Sequence, residues 1–182
     1  MYKETYLKDI INRNRIKNDL ELEELLNILS SNIGSLTNPR KLADTFRSVK
    51  NAKISEPTIR TYLDYLQEAF LIEKVKRFDI KGKRYIDTPS KFYFTDLGIR
   101  NVMLNFRQLE NAIYNELKIR GFSVDVGIVE VNNPDKSKTY YEIDFICNKA
   151  DKRIYLQSAY SLPDNEKMNQ EIRPFKGVND FF

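Results

Sequence analysis

The chain has 182 residues and a formal net charge of +4, and 41% of its residues are hydrophobic, enough for one or two small domains with cores of their own. The absence of histidine excludes Ser-His-Asp and Cys-His catalysis and argues against structural zinc, and the single cysteine excludes an internal disulfide. No apolar run approaches the roughly 18 residues of a membrane span, and no P-loop motif is present, so we expect a cytoplasmic chain without membrane contact or an ATP site of its own.

Helices are predicted throughout the first part of the chain. A short amphipathic helix falls within residues 1–18, where few apolar partners lie nearby, and we interpret this range as the tail of a preceding module. Three helical patterns follow. The first stops at Gly34, the second begins at Pro39, and the third is capped by Ser55.

A basic two-stranded ribbon follows these helices. The stretches LIEKVKRF and KFYF are typical of strands, and the polar loop DIKGKRYIDTPS joins them. Between Leu71 and Lys91 there are seven basic and three acidic residues, so this segment carries +4 and the other residues sum to zero. Three short helices followed by a basic ribbon indicate a winged helix-turn-helix over residues 19–105.

A winged helix of this kind would contact DNA through its third helix and its ribbon. The exposed face of that helix lacks the Arg, Asn and Gln cluster that reads base edges, so we expect phosphate contacts. Two alternatives stay open, because a solvated hairpin also carries lysines and many winged helices bind only protein. The predicted DNA-binding residues are Thr58, Arg60, Thr61, Lys74, Lys76, Lys81, Lys83 and Arg84.

A second domain is predicted over residues 106–182. A helix ends at Gly121, FSVDVGIVEV alternates as a strand, and KTYYEIDFIC and RIYLQSAY are two further strands. NEKMNQEIRPF predicts a polar helix that Pro174 breaks. The chain is therefore predicted to be α+β, with a winged helix followed by an α/β domain.

The acids of this second domain follow the layout of a PD-(D/E)xK nuclease core. Strand alternation predicts that Asp144 and Gln157 share one face of neighbouring strands, and the preceding helix offers Glu110 and Glu116. In such a core, carboxylates hold Mg²⁺, which activates a water, and a lysine stabilises the developing charge. We therefore interpret the domain as a nuclease-like fold, partial because further strands would normally follow.

Two positions depart from this layout. Gln157 is neutral and a poor magnesium ligand, and Ala159 stands where the lysine is needed. We therefore expect a degenerate nuclease with no catalytic residue and no metal. One alternative is a Mg-dependent nuclease that uses Glu116 and Asp144, with Glu142 as a further ligand. The other is a plain structural sheet, in which Asp144 bonds a tyrosine or a backbone amide.

Five stretches together resemble a large prokaryotic family of AAA-type ATPases. They are YLKDII, SKFYFTDLGIRN, ENAIYNEL, YEIDFIC and IYLQSAY, and they span nearly the whole chain. In that family an ATPase module precedes a winged helix and a nuclease-like domain of unknown function. The family's helix acids match Glu110 and Glu116, its strand aspartate matches Asp144, and its usual glutamine matches Gln157.

This resemblance implies that the chain is the C-terminal region of a longer ATPase. ATP and Mg²⁺ would belong to the absent module, which would also mediate any oligomer. We expect the chain itself to be no enzyme and to contact DNA or a partner protein while the other module hydrolyses ATP. A metal-dependent nuclease and a protein-interaction module are the alternatives.

Overall fold

The computed structural model describes residues 7–50, 54–96, 98, 108–133 and 137–178. Its secondary structure is a mixture of helices and one sheet, so the predicted α+β class is confirmed. The α-helices of these residues are α1 Lys8–Asn14, α2 Asp19–Ser31, α3 Pro39–Lys50, α4 Glu56–Glu68, α5 Gln108–Ile119 and α6 Asn165–Ile172, and a 3₁₀ helix spans Arg173–Gly177. The strands are β1 Ile72–Asp79, β2 Arg84–Phe94, β3 Ser123–Asn132, β4 Lys138–Lys149 and β5 Lys152–Leu156.

The chain divides into two compact units. The first comprises residues 1–74 and 90–111, and the second comprises residues 75–89 and 112–182. The sequence patterns predicted that the whole ribbon belongs to the first domain. In the structure, the tip of the β1–β2 hairpin, residues 75–89, belongs to the second unit. The predicted boundary between residues 105 and 106 lies outside the described residues.

Helices with one buried face build the first unit. The caps follow the sequence, because Asn38 Oδ1 accepts the Lys41 N–H at 2.8 Å and Ser55 Oγ accepts the Thr58 N–H at 3.2 Å. Helix α1 packs against α4 and buries Ile10, so it has more apolar partners than the sequence suggested. The buried side chains of α2, α3 and α4 include Leu22, Leu25, Leu26, Leu29, Leu42, Phe46, Ile59, Leu63 and Leu66.

A mixed sheet builds the second unit, in the strand order β2-β1-β3-β4-β5. Strand β1 runs parallel to β3, while β3, β4 and β5 pair antiparallel. The 3₁₀ helix packs on one face, where Phe175 and Val178 contact the buried cluster of Ile80, Val129, Ile143 and Ile146. Within the described ranges, no helix combines the length and the apolar character needed to cross a membrane.

Candidate functional site

Glu110, one of the predicted helix acids of the nuclease core, belongs to the first unit. Its Oε1 atom accepts hydrogen bonds from Lys91 Nζ at 2.8 Å and from Tyr93 Oη at 2.6 Å. The Lys91 side chain is only 1% exposed, so this ion pair is largely removed from water. Gly34 has a φ of +74°, and a Cβ at this position would overlap the Glu110 carboxylate. Glu110 therefore stabilises the first unit.

Glu116, the other helix acid, lies on the surface of the second unit. Its Oε1 atom accepts a hydrogen bond from Arg120 Nε at 2.7 Å, one helical turn away, and its side chain is 54% exposed. Pairs of this kind contribute little to stability. The two predicted helix acids thus belong to different units and have different partners.

The structure brings Asp144 and Gln157 together. Asp144 lies on β4 and is 8% exposed, and its backbone N–H donates to Gln157 Oε1 at 3.2 Å. Its Oδ2 atom accepts two hydrogen bonds from Ser158, one from the backbone N–H at 2.9 Å and one from Oγ at 2.7 Å. Through these hydrogen bonds, the carboxylate links β4 to the segment that follows β5.

A second link extends from Gln157 to helix α6. The Gln157 amide nitrogen donates to Glu171 Oε2 at 3.4 Å, and Lys167 Nζ lies 2.6 Å from Glu171 Oε1. The amide thus uses its oxygen on a backbone N–H and its nitrogen on a carboxylate. A glutamate in place of Gln157 could accept the first bond but not donate the second.

These residues do not fit a magnesium ion. Mg²⁺ requires several oxygen ligands in near-octahedral geometry, whereas Ser158 already donates twice to Asp144 Oδ2 and Gln157 contributes a neutral amide. Among the residues that the structure describes, no group of three or more Asp, Glu or Cys side chains is placed to hold a metal. The backbone amide bond to Asp144, one of the sequence alternatives, is present.

The predicted residues of the third helix lie on α4 in the first unit and have local partners. Arg60 pairs with Glu56 at 3.1 Å, Thr61 donates to the Pro57 carbonyl at 3.1 Å, and the hydroxyls of Thr58 and Ser55 are 2.7 Å apart. Lys74 belongs to the same unit.

The remaining predicted cations lie on the β1–β2 hairpin in the second unit, and three of them are in ion pairs. The pairs are Lys76–Asp87 at 2.9 Å, Lys81–Glu130 at 3.1 Å and Arg84–Asp79 at 3.4 Å. Lys83 lies in the turn with a φ of +49°. All four cations are exposed.

A row of side chains that the sequence patterns did not predict crosses one face of the second unit's sheet. Tyr85 Oη donates to Asp125 Oδ2 at 3.2 Å, and the Arg153 guanidinium lies 5.9 Å from the Phe78 ring centroid. Burial raises the pKa of Asp125, although the Tyr85 hydrogen bond and Arg153 act in the opposite direction. The signal was present in the sequence, because Asp125 interrupts an apolar strand and a buried acid requires partners.

Comparison with known proteins gives a family. Residues 1–110 match a domain of unknown function, DUF8612. The chain belongs to the DUF8612 family. The matched region ends one residue before the first unit does, at Asn111, and includes the whole β1–β2 hairpin.

Two curated relatives of this DUF8612 protein carry the description uncharacterized protein. One, from Haemophilus influenzae, is 39% identical over 165 residues, covering 87% of this chain and 39% of the relative. The other, MJ1544 from Methanocaldococcus jannaschii, is 31% identical over 181 residues, covering 96% of this chain and 38% of the relative. The chain thus spans about two fifths of the length of these relatives. No solved structure matches it.

Proposed function

We propose that this DUF8612 chain is the non-catalytic, DNA-binding C-terminal region of a AAA-type ATPase, with a winged helix followed by a degenerate PD-(D/E)xK nuclease-like domain. The observation that carries the proposal is the basic tip of the β1–β2 hairpin. Its residues 75–89 include five basic and two acidic side chains, and the cations at positions 76, 81, 83 and 84 are exposed.

The hairpin cations are available to phosphates despite their ion pairs. Exposed pairs such as Lys76–Asp87 contribute little to stability, so exchanging the carboxylate for a phosphate costs little. Each phosphate neutralised by a lysine or arginine also releases condensed counterions from the DNA. The affinity that results depends on salt and not on base sequence.

The order of elements along the chain supports the winged helix. Helices α2, α3 and α4 precede β1 and β2, which is the order of helices and ribbon in this class of DNA-binding domain. The segment between α2 and α3 also pairs with the ribbon, because Thr37 and Ser90 exchange two backbone hydrogen bonds of 2.9 Å.

The hydrogen bonds of Asp144 support the absence of cleavage chemistry. The order α5, β3, β4, β5 and the proximity of Asp144 to Gln157 agree with a nuclease-like scaffold. Ser158 donates both of its polar hydrogens to Asp144, and no lysine follows at position 159. We infer that the scaffold is retained for binding.

The ATPase assignment rests on the motif resemblance, and the length of the relatives is compatible with it. Since the matched region covers only 39% and 38% of them, each has room for a further module. ATP, Mg²⁺ and oligomer contacts would belong to that module. The buried free thiol of Cys147 agrees with the reducing cytoplasm that we propose as its location.

Fluorescence anisotropy with a labelled duplex, measured over a salt series, tests DNA binding. We expect the double variant Lys81→Ala/Lys83→Ala to reduce the slope of log Kd against log salt by about two, close to one unit per phosphate contact. The matched control Lys118→Ala/Lys152→Ala removes the same charge elsewhere in the second unit and should leave the slope unchanged. No measurable affinity at low salt, or equal effects of both double variants, would show the proposal to be wrong.

A cleavage assay tests the absence of nuclease activity. Supercoiled and branched DNA should stay intact with Mg²⁺ or Mn²⁺, for the wild-type protein and for Asp144→Ala alike. Cleavage that disappears in Asp144→Ala would instead favour the metal-dependent nuclease.

A protein partner is the second candidate, and exposed apolar side chains favour it. Tyr160, Leu162 and Met168 lie close together in the sequence of the second unit, and all three are exposed. Isolated exposed apolar residues are common, but a group can mark a protein contact. Loss of a copurifying protein on Tyr160→Ser/Leu162→Ser, with duplex affinity unchanged, would support this candidate.

A further inference from the structure

Two aromatic rings and a guanidinium meet on the sheet face of the second unit. Tyr85 and Phe78 lie on neighbouring strands with their ring centroids 5.2 Å apart and their planes at 64°. Arg153 lies over the Phe78 ring, with its Cζ atom 5.9 Å from the centroid. We refer to Phe78, Tyr85 and Arg153 as the aromatic platform.

Tyr85 is the exposed member of the platform, whereas Phe78 and Arg153 are half-buried and Phe78 packs against the buried cluster of the sheet. The Tyr85 residue is 58% exposed, yet its hydroxyl donates to the buried Asp125 at 3.2 Å. Arg153 is held by Phe78 and by a 2.6 Å hydrogen bond from its Nε to Asn148 Oδ1. A ring that is fixed before binding loses little conformational freedom when a flat ligand stacks on it.

Cations lie near Tyr85, in addition to the carboxylate of Asp125. Burial and Asp125 raise the pKa of the Tyr85 phenol, whereas Arg153 and Lys76 oppose that rise, as nearby cations must. Tyr85 also follows Lys83 and Arg84 directly in the sequence, at the basic tip of the hairpin. A neutral aromatic surface next to cations suits a ligand that combines flat rings with phosphates.

Nucleic acid with unpaired bases is the ligand that meets both requirements. Base faces are hidden in a duplex, whereas an unpaired base can stack on an aromatic side chain, and the neighbouring cations follow the backbone. We propose that the aromatic platform stacks an unpaired nucleobase of a DNA strand whose phosphates contact the β1–β2 hairpin. The inference rests on the proposed DNA binding and narrows its substrate to DNA with single-stranded positions.

Binding of a single strand that contains 2-aminopurine tests the proposal. Stacking on tyrosine should quench the fluorescence of the base when wild-type protein is added. Tyr85→Leu should weaken single-strand binding about tenfold, because it removes the ring on which the base stacks. The same variant should change duplex affinity less than about twofold, since paired bases offer no free face.

Two further variants separate stacking from other effects. Tyr85→Phe keeps the ring and loses the bond to Asp125, so it should retain most of the quenching. Tyr160→Leu removes a tyrosine that is 97% exposed in the same unit and should change neither signal. Circular dichroism of each variant verifies the fold, and the wild-type quenching tests the proposal even if Tyr85→Leu does not fold.

The outcomes distinguish this inference from the proposed function. Salt-dependent duplex binding without quenching of the single strand would leave phosphate binding intact and overturn the platform. Equal losses for Tyr85→Leu and Tyr160→Leu would overturn it as well. If the wild-type protein binds neither duplex nor single strand, both proposals are wrong.

Discussion

Glu110 of the first unit and Asp144 of the second are both carboxylates at predicted nuclease positions, but they are satisfied by different chemistry. Glu110 accepts hydrogen bonds from the buried ammonium of Lys91 and from the phenol of Tyr93. Asp144 receives two neutral donors, both from Ser158. The first carboxylate therefore pairs with a buried cation, whereas the second accepts two hydrogen bonds from one serine. A match to a motif position therefore does not give a carboxylate its role, because the role depends on the groups that contact it.

We therefore expect substitution of the two acids to lower the free energy of unfolding by different amounts. Without Glu110, the buried ammonium of Lys91 loses the carboxylate that lies 2.8 Å from it. Without Asp144, an amide and a hydroxyl lose their acceptor. A buried unpaired charge is more costly than an unsatisfied neutral donor.

Glu110→Gln should have the largest effect. We expect the free energy of unfolding to fall by about 3 kcal/mol, because the substitution breaks a buried ion pair. Urea unfolding followed by circular dichroism measures the change. Glu116→Gln on the same helix is the matched control and should cost less than about 0.5 kcal/mol, since its pair with Arg120 is exposed.

A further variant tests the cause of that loss. Replacing both partners, as Lys91→Met/Glu110→Gln, should recover part of the stability, because no buried charge is left unpaired. A double variant that is less stable than Glu110→Gln alone would contradict this account of the first unit.

Asp144→Ala should have the next largest effect, about 2 kcal/mol, because both Ser158 donors lose their acceptor. Ser158→Ala removes only the hydroxyl and keeps the backbone bond, so about 1 kcal/mol is expected. Thermal or urea unfolding of both variants measures the ratio. If instead Asp144→Ala were neutral and millimolar Mn²⁺ stabilised the wild-type protein, the carboxylate would be a metal ligand.

The smallest effect concerns pH and the buried Asp125. Since burial raises its pKa, the ionised carboxyl destabilises the fold at neutral pH, and this cost disappears below the pKa of the unfolded chain. Asp125→Asn should therefore melt at a higher temperature than the wild type at pH 7. The gap should shrink as the pH falls towards about 4, the ordinary range of an aspartate. An equal gap at both pH values would contradict the assignment.

Local patterns predicted much of the fold. Strand alternation predicted that Asp144 and Gln157 lie close together, although β5 ends at Leu156, before Gln157. The caps Asn38 and Ser55 were recognisable from residue type. The partner of Glu110 was not predictable, because Lys91 is 19 residues away and no periodicity joins a strand to a later helix.

Long-range pairing explains the other differences. The parallel register of β1 with β3 brings Phe78 opposite Gly127 across a long stretch of sequence, and no local signal encodes it. Because no local signal encodes this pairing, the sequence patterns predicted that the hairpin tip belongs to the first domain. The row of side chains from Tyr85 to Arg153 depends on this strand pairing, so the sequence patterns did not predict it either.

The path of the chain through β1 and β2 has a consequence for how the protein can be dissected. The second unit takes two strands from residues 75–89, so a fragment that begins at residue 112 would uncover the backbone edge of β3. Unpaired strand edges recruit other chains, so such a fragment should aggregate. A single cut in the sequence therefore cannot separate the two units.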